Sequence, residues 1–76
     1  MLTLDKIMPG QTAVIENINC GGSIKRRLLD IGLVEGTKVE CVGKSPSGDP
    51  SAFLIRGAVI AIRSEDCRQI AVSCRD

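Results

Sequence analysis

Apolar and polar residues alternate along most of this chain in short runs, and glycine, proline and serine cut the runs apart. The first run, Thr-Ala-Val-Ile-Glu-Asn-Ile at 12–18, is opened by Pro9-Gly10 and closed before Gly21-Gly22, which reads as a strand. Over 37–44 the pattern has period 2, with Val39 and Cys41 on one side and Lys38, Glu40, Val42 and Lys44 on the other, as in a half-buried strand. Segments 52–56 and 58–63 are both rich in strand formers and part at Gly57, predicting a tight hairpin in which glycine supplies positive φ. A last strand is predicted over 69–73.

Between the first two strands the period changes. Ile24, Leu28 and Ile31 recur at i, i+4 and i+7, one face of a helix, while Lys25, Arg26 and Asp30 point away from it. Gly32 can take the left-handed conformation that closes a helix, and Leu33 is placed to fold back on the last turn. Ser64-Glu65-Asp66-Cys67 offers a serine cap and early acidic residues, enough for one helical turn. The segment 45–50 holds two prolines and a glycine and is read as an exposed loop. The whole pattern predicts a mainly β fold: a small SH3-like five-stranded barrel, closed or nearly so. One helix lies in its first long loop and a short helical turn precedes the last strand, since closure removes exposed strand edges. No repeat or linker interrupts the chain, so residues 1–76 read as a single domain.

Size and composition narrow the function. A chain of 76 residues buries about 60% of its unfolded surface, and a catalytic cleft is hard to carve from so little core. Its apolar residues are mostly Ile, Leu, Val and Ala, with Phe53 the sole aromatic, so there is no platform for stacking bases. Ten basic and nine acidic residues leave a net charge of +1, with no overall pull towards nucleic acid or an anionic membrane. The start lacks a basic segment followed by an apolar one, and no run approaches the ~18 apolar residues of a membrane span, so a cytoplasmic protein with reduced thiols is expected.

Catalysis has little to work with. There is no histidine, which excludes Cys-His and Ser-His-Asp arrangements, and the glycine-rich segments match no phosphate-binding loop. No enzyme and no cofactor are expected. The four cysteines, Cys20, Cys41, Cys67 and Cys74, lack the close pairs of structural zinc sites. The alternative function they offer is a cysteine-dependent metal chaperone or sensor using Cys67 and Cys74, against which stands their use as small apolar residues. Lys25-Arg26-Arg27 lies near a helix start, where cations are unfavourable. Its ordinary explanation is a solvated face helped by Asp30, four residues after Arg26, and by the aliphatic stem of Arg27 covering the edge of the core; its functional one is a contact surface for an acidic partner. Leu29 sits beside Lys25 and away from the apolar face, so either the chain's own 45–50 loop or another protein covers it. Pro46, Asp49 and Pro50 read as a stiff turn or a recognition loop.

These residues, in this order and spacing, resemble the FeoA family of bacterial ferrous iron transport. The resemblance rests on Met8-Pro9-Gly10, on the run from Arg26 to Leu33 followed by Gly36-Thr37, and on Pro46 with Gly48-Asp49-Pro50. Arg56-Gly57 and Ala61-Ile62-Arg63 before Ile70 and Val72 complete it, so it covers nearly the entire chain. Two departures are Ala58, where an aromatic is frequent, and Cys67, where alanine is common. The resemblance implies an SH3-like fold and an accessory role beside the membrane transporter FeoB, and it supplies no catalytic or iron-binding residues. The expected contact residues are Lys25, Arg26, Arg27 and Leu29, with Pro46, Asp49 and Pro50 as a second group. Self-association through a strand edge or the helix face stays open.

Overall fold

The computed structural model describes residues 2–75. Five strands and two helices follow in the order β1 (Thr12–Ile18), α1 (Gly22–Asp30), β2 (Lys38–Lys44), β3 (Ser51–Ile55), β4 (Ala58–Ile62), α2 (Ser64–Cys67) and β5 (Ile70–Arg75). All pairings are antiparallel, in the order β4-β3-β2-β1-β5. The predicted architecture is the observed one. Among the described residues the ladder does not join β4 to β5; α2 bridges the two end strands in sequence, and the sheet curls around one core.

Two bulges permit that curl. In β1 the pairing with β5 slips between Ile15 and Asn17, leaving Glu16 as the extra residue, so Ile15 and Ile18 both reach the core despite their odd spacing. In β2 the pairing with β3 slips between Cys41 and Gly43, and Val42 is turned out to solvent. The alternating residues Val39 and Cys41 of β2 and Phe53 and Ile55 of β3 fill the centre. Leu4 and Ile7 complete this core from a 3-10 turn at Leu4–Lys6 that strand and helix patterning does not reveal. Their segment is held by a Thr3–Ala71 bridge and by the Val72 amide donating to the Leu2 carbonyl at 2.9 Å.

Helix α1 buries Leu28 and rests Ile24 and Ile31 against the core, as the periodicity predicts. It ends in a two-bond stop: the Gly32 amide donates to the Leu29 carbonyl at 3.0 Å and the Leu33 amide to the Leu28 carbonyl at 2.9 Å. Gly32 has φ +92°, and Leu33 is fully buried.

Two local expectations need revision. The β3–β4 turn carries positive φ at Arg56 (50°) as well as at Gly57 (84°), as a two-residue type I′ hairpin turn requires at both central positions. Arg56 gains from this position: its Nε donates to the Gly32 carbonyl at 3.2 Å, across the end of α1. The second revision concerns α2, which has no serine cap. Ser64 is its first helical residue, and the Ser64 amide donates instead to Asp49 Oδ1 at 2.8 Å, so the carboxylate that favours the helix start comes from the loop.

Candidate protein-docking surface

Lys25, Arg26 and Arg27 of α1 are all exposed, and Leu29, on the outer face beside Lys25 and Arg26, is 43% exposed. The 45–50 loop therefore does not cover Leu29, and one of its two candidate neighbours is removed. Among the described residues the ion pairs are Lys6–Asp5 and Arg63–Glu65, both at 3.8 Å. Arg26 and Asp30 are not joined, whereas Arg27 lies beside Ile24, Leu28 and Ile31 at the edge of the core, as the solvated-face explanation expects of its stem.

Beside this face, α1 and β4 enclose a groove of about 510 Å³. Ile24, Arg27 and Ile31 line its helix side, Ile60 and Arg63 its strand side, and Pro50 reaches it from the loop. The structure thus brings Arg27 and Pro50 together. Lys25, Arg26 and Leu29 do not line the groove, Pro46 stands exposed on the loop, and Asp49 is turned towards α2. The sequence reading missed β4 as a surface feature. Its Val59 is 63% exposed, and Ala58 and Ala61 are exposed as well. The signal was present in the unbroken apolar run Ala-Val-Ile-Ala-Ile, which lacks the alternation of a strand with one wet face.

The thiols lie apart from this surface. Cys20, Cys41 and Cys67 are buried and Cys74 is exposed. Among the described residues no three His, Cys, Asp or Glu side chains come together as metal ligands. Burial pushes the Cys67 thiol up to about 12, helped by the charges of Asp5, Asp66 and Asp49 and by Cys41. At neutral pH this thiol keeps its proton and donates to the Ile62 carbonyl at 3.7 Å. The linkage has a definite sign. Below pH 9, the ordinary value for such a thiol, both states are protonated and stability is unaffected. Between 9 and 12 the unfolded chain loses this proton while the folded one holds it, so stability falls as pH rises. Urea midpoints of the wild type should therefore fall more steeply over this range than those of Cys67→Ala. Parallel pH profiles would refute the assignment.

No helix among the described residues is long and apolar enough to cross a membrane. The FeoA domain family matches residues 2–74. An Fe(2+) transport protein A/Fe(2+) transporter FeoB fusion protein of Porphyromonas gingivalis is 30% identical over 71 residues, 93% of this chain and 8% of that protein. The chain thus spans a small fraction of the fusion. It matches nearly all of a Campylobacter jejuni protein named for Fe(2+) transport protein A, at 25% identity over 72 residues, 95% of this chain and 97% of the relative. The solved FeoA of Stenotrophomonas maltophilia, a prokaryotic SH3 domain protein complexed with zinc, has a TM-score of 0.85 at 27% identity, covering 96% of this chain and 91% of that one. The five-stranded sheet with its helix after β1 and short helix before β5 is therefore SH3-like, and the chain belongs to the FeoA family.

Proposed function

We propose that this chain is a non-enzymatic cytoplasmic accessory protein of bacterial ferrous iron uptake. It docks on the cytosolic part of a FeoB-like transporter through the outer face of α1. The observation that carries this reading is Leu29, an exposed leucine flanked on the helix surface by Lys25 and Arg26, neither of which has an ion pair among the described residues. Such an apolar anchor with a charged rim has the anatomy of a transient protein interface. The Pro46, Asp49 and Pro50 loop forms a second contact group. The fusion in the Porphyromonas gingivalis relative supports the pairing, because joining two modules raises their effective concentration without any new contact.

The test is binding of the reduced protein to full-length FeoB from the same organism in nanodiscs, with and without a non-hydrolysable GTP analogue. Leu29→Asp should weaken binding by roughly thirtyfold, as loss of an interface anchor does, and Arg26→Ala by a smaller factor. Leu29 lies outside the core, and an acid in the last helical turn costs only about 0.3–1 kcal/mol, so the variant should stay folded with a slightly lowered urea midpoint. Unchanged affinity in both variants would overturn the assignment of this surface.

A further inference from the structure

Among the described residues Arg56 is the one non-glycine residue held at positive φ, 50°. It occupies the first central position of the β3–β4 turn, where Asn, Asp or Gly is the usual choice because the left-handed region crowds a larger L side chain. This costly placement carries the side chain across to α1. Its Nε donates to the Gly32 carbonyl at 3.2 Å, and its stem lies so close over Gly32 that a Cβ there would come within 2.5 Å of Cδ and 2.8 Å of Nε. Gly32 in turn donates its amide to the Leu29 carbonyl at 3.0 Å. The guanidinium is thereby fixed at the C-terminal side of Leu29, while Lys25 and Arg26 stand four and three residues before Leu29 on the other side.

Only Nε is engaged. Among the described residues the N–H groups on Nη1 and Nη2 meet no acceptor, and Asp30 and Glu35, the exposed acids nearest to Gly32 in sequence, form no ion pair with Arg56. These paired donors make a planar fork that matches the two oxygens of a carboxylate. Because the turn and the bond to Gly32 orient the group before any partner arrives, little rotamer freedom is left to lose on docking. The place matters electrostatically as well. The last carbonyls of α1 carry partial negative charge, so an anion approaching Leu29 from this side is repelled unless a cation stands there. One guanidinium offsets one carboxylate, whereas the further charge of a phosphate would be left facing the helix end.

We propose that Arg56 is a partner-binding residue of the α1 docking surface, whose free fork, held in place by the β3–β4 turn and the Gly32 carbonyl, receives a carboxylate of the transporter. The inference rests on the docking reading above and adds the chemistry of the complementary site. That site carries an acidic side chain about one helical turn along from the apolar recess that takes Leu29. The oriented fork selects the carboxylate rather than net charge, since Asp30 and Glu35 stand at the same end of α1 as Arg56.

The test is the affinity of full-length FeoB in nanodiscs for Arg56→Gln, Arg56→Lys and Gly32→Ala, with each variant's folded concentration counted from its NMR signals. Arg56→Gln should weaken binding about tenfold, as loss of a charge-assisted pair does, with or without the GTP analogue. It should also flatten the fall of affinity with rising salt, which a residue that only braced the hairpin would leave unchanged. Arg56→Lys keeps the charge but loses the fork, so it should bind more weakly than the wild type. Gly32→Ala displaces the guanidinium without removing it; it should weaken binding in the wild-type background and add nothing to Arg56→Gln. The proposal is overturned if Leu29→Asp weakens docking while Arg56→Gln stays within about twofold of the wild type, the range of an ordinary surface charge. An unchanged salt slope, lysine binding as tightly as arginine, or additive losses from Gly32→Ala and Arg56→Gln would each overturn it too. A loss seen only with the GTP analogue would make the partner group a phosphate and would also overturn it. Failure of the docking reading looks different, because Leu29→Asp would then bind as the wild type does.

Discussion

Phe53→Ala should leave the domain largely unfolded at 25 °C. Phe53 is the largest of the fully buried side chains and the sole aromatic of the protein. It sits on the central strand pair of the core, opposite Cys41 on β2 and Ile60 on β4. Deleting a buried phenyl ring costs about 3–5 kcal/mol, the transfer term plus the cavity left behind. A single core of this size rarely supplies more than about 3–5 kcal/mol in all, so the loss is comparable with the whole. The neighbours cannot close the gap cheaply, since Cys41, Ile55 and Val39 are fixed by their ladders and Leu4 and Ile7 by the bridge at Thr3. Circular dichroism should show the loss directly, with no folded baseline in urea at 25 °C. Phe53→Leu, which keeps most of the volume, should retain a cooperative transition with a lowered midpoint. An alanine variant that melts within about 1 M urea of the wild type would mean that the core is not shared by the two ends of the sheet, given slopes of about 1 kcal/mol per molar.

The sequence made this core legible because its carriers are periodic. Val39 and Cys41, or Ile24, Leu28 and Ile31, announce their face by spacing, and Gly32 announces the end of its helix by composition. What escaped was non-periodic or long-range. Leu4 and Ile7 lie in a turn too short to have a repeat, and they are buried only because β5 passes beside them. The cap on α2 was assigned to the nearest serine, whereas Asp49 lies 15 positions earlier and is delivered by the loop. Arg56 was invisible as a positive-φ residue, because arginine has no intrinsic preference for that region; the two-residue turn imposes it, and the side chain reaches Gly32, 24 positions away, from there. The candidate surface divides in the same way. Lys25, Arg26 and Leu29 could be placed on the helix exterior from the wheel alone, but the groove between α1 and β4 exists only once the sheet has curled.

Gly32→Ala should destabilise the domain by about 2 kcal/mol, and the size of the loss should depend on the residue at position 56. Two effects act at this position. Gly32 has φ +92°, where an L side chain adds about 1–2 kcal/mol of backbone strain. A Cβ there would also stand 2.5 Å from Arg56 Cδ and 2.8 Å from its Nε, closer than real contacts allow. Arg56 is exposed, so its chain swings away rather than forcing the backbone apart. The steric term then reduces to the lost bond from Nε to the Gly32 carbonyl, about 0.5–1 kcal/mol. Strain at the helix stop is the larger part and survives whatever stands at position 56; the hydrogen bond does not. In an Arg56→Ala background the same glycine substitution should therefore cost about 0.5–1 kcal/mol less than in the wild type, a coupling that urea melts of the four proteins would measure. Zero coupling would mean that Arg56 does not rest on the end of α1 in solution. A coupling equal to the entire effect would mean that the left-handed geometry at Gly32 costs alanine nothing. The intermediate value ties the β3–β4 hairpin to the helix stop, and with it the strand edge and the helix wall that together enclose the groove.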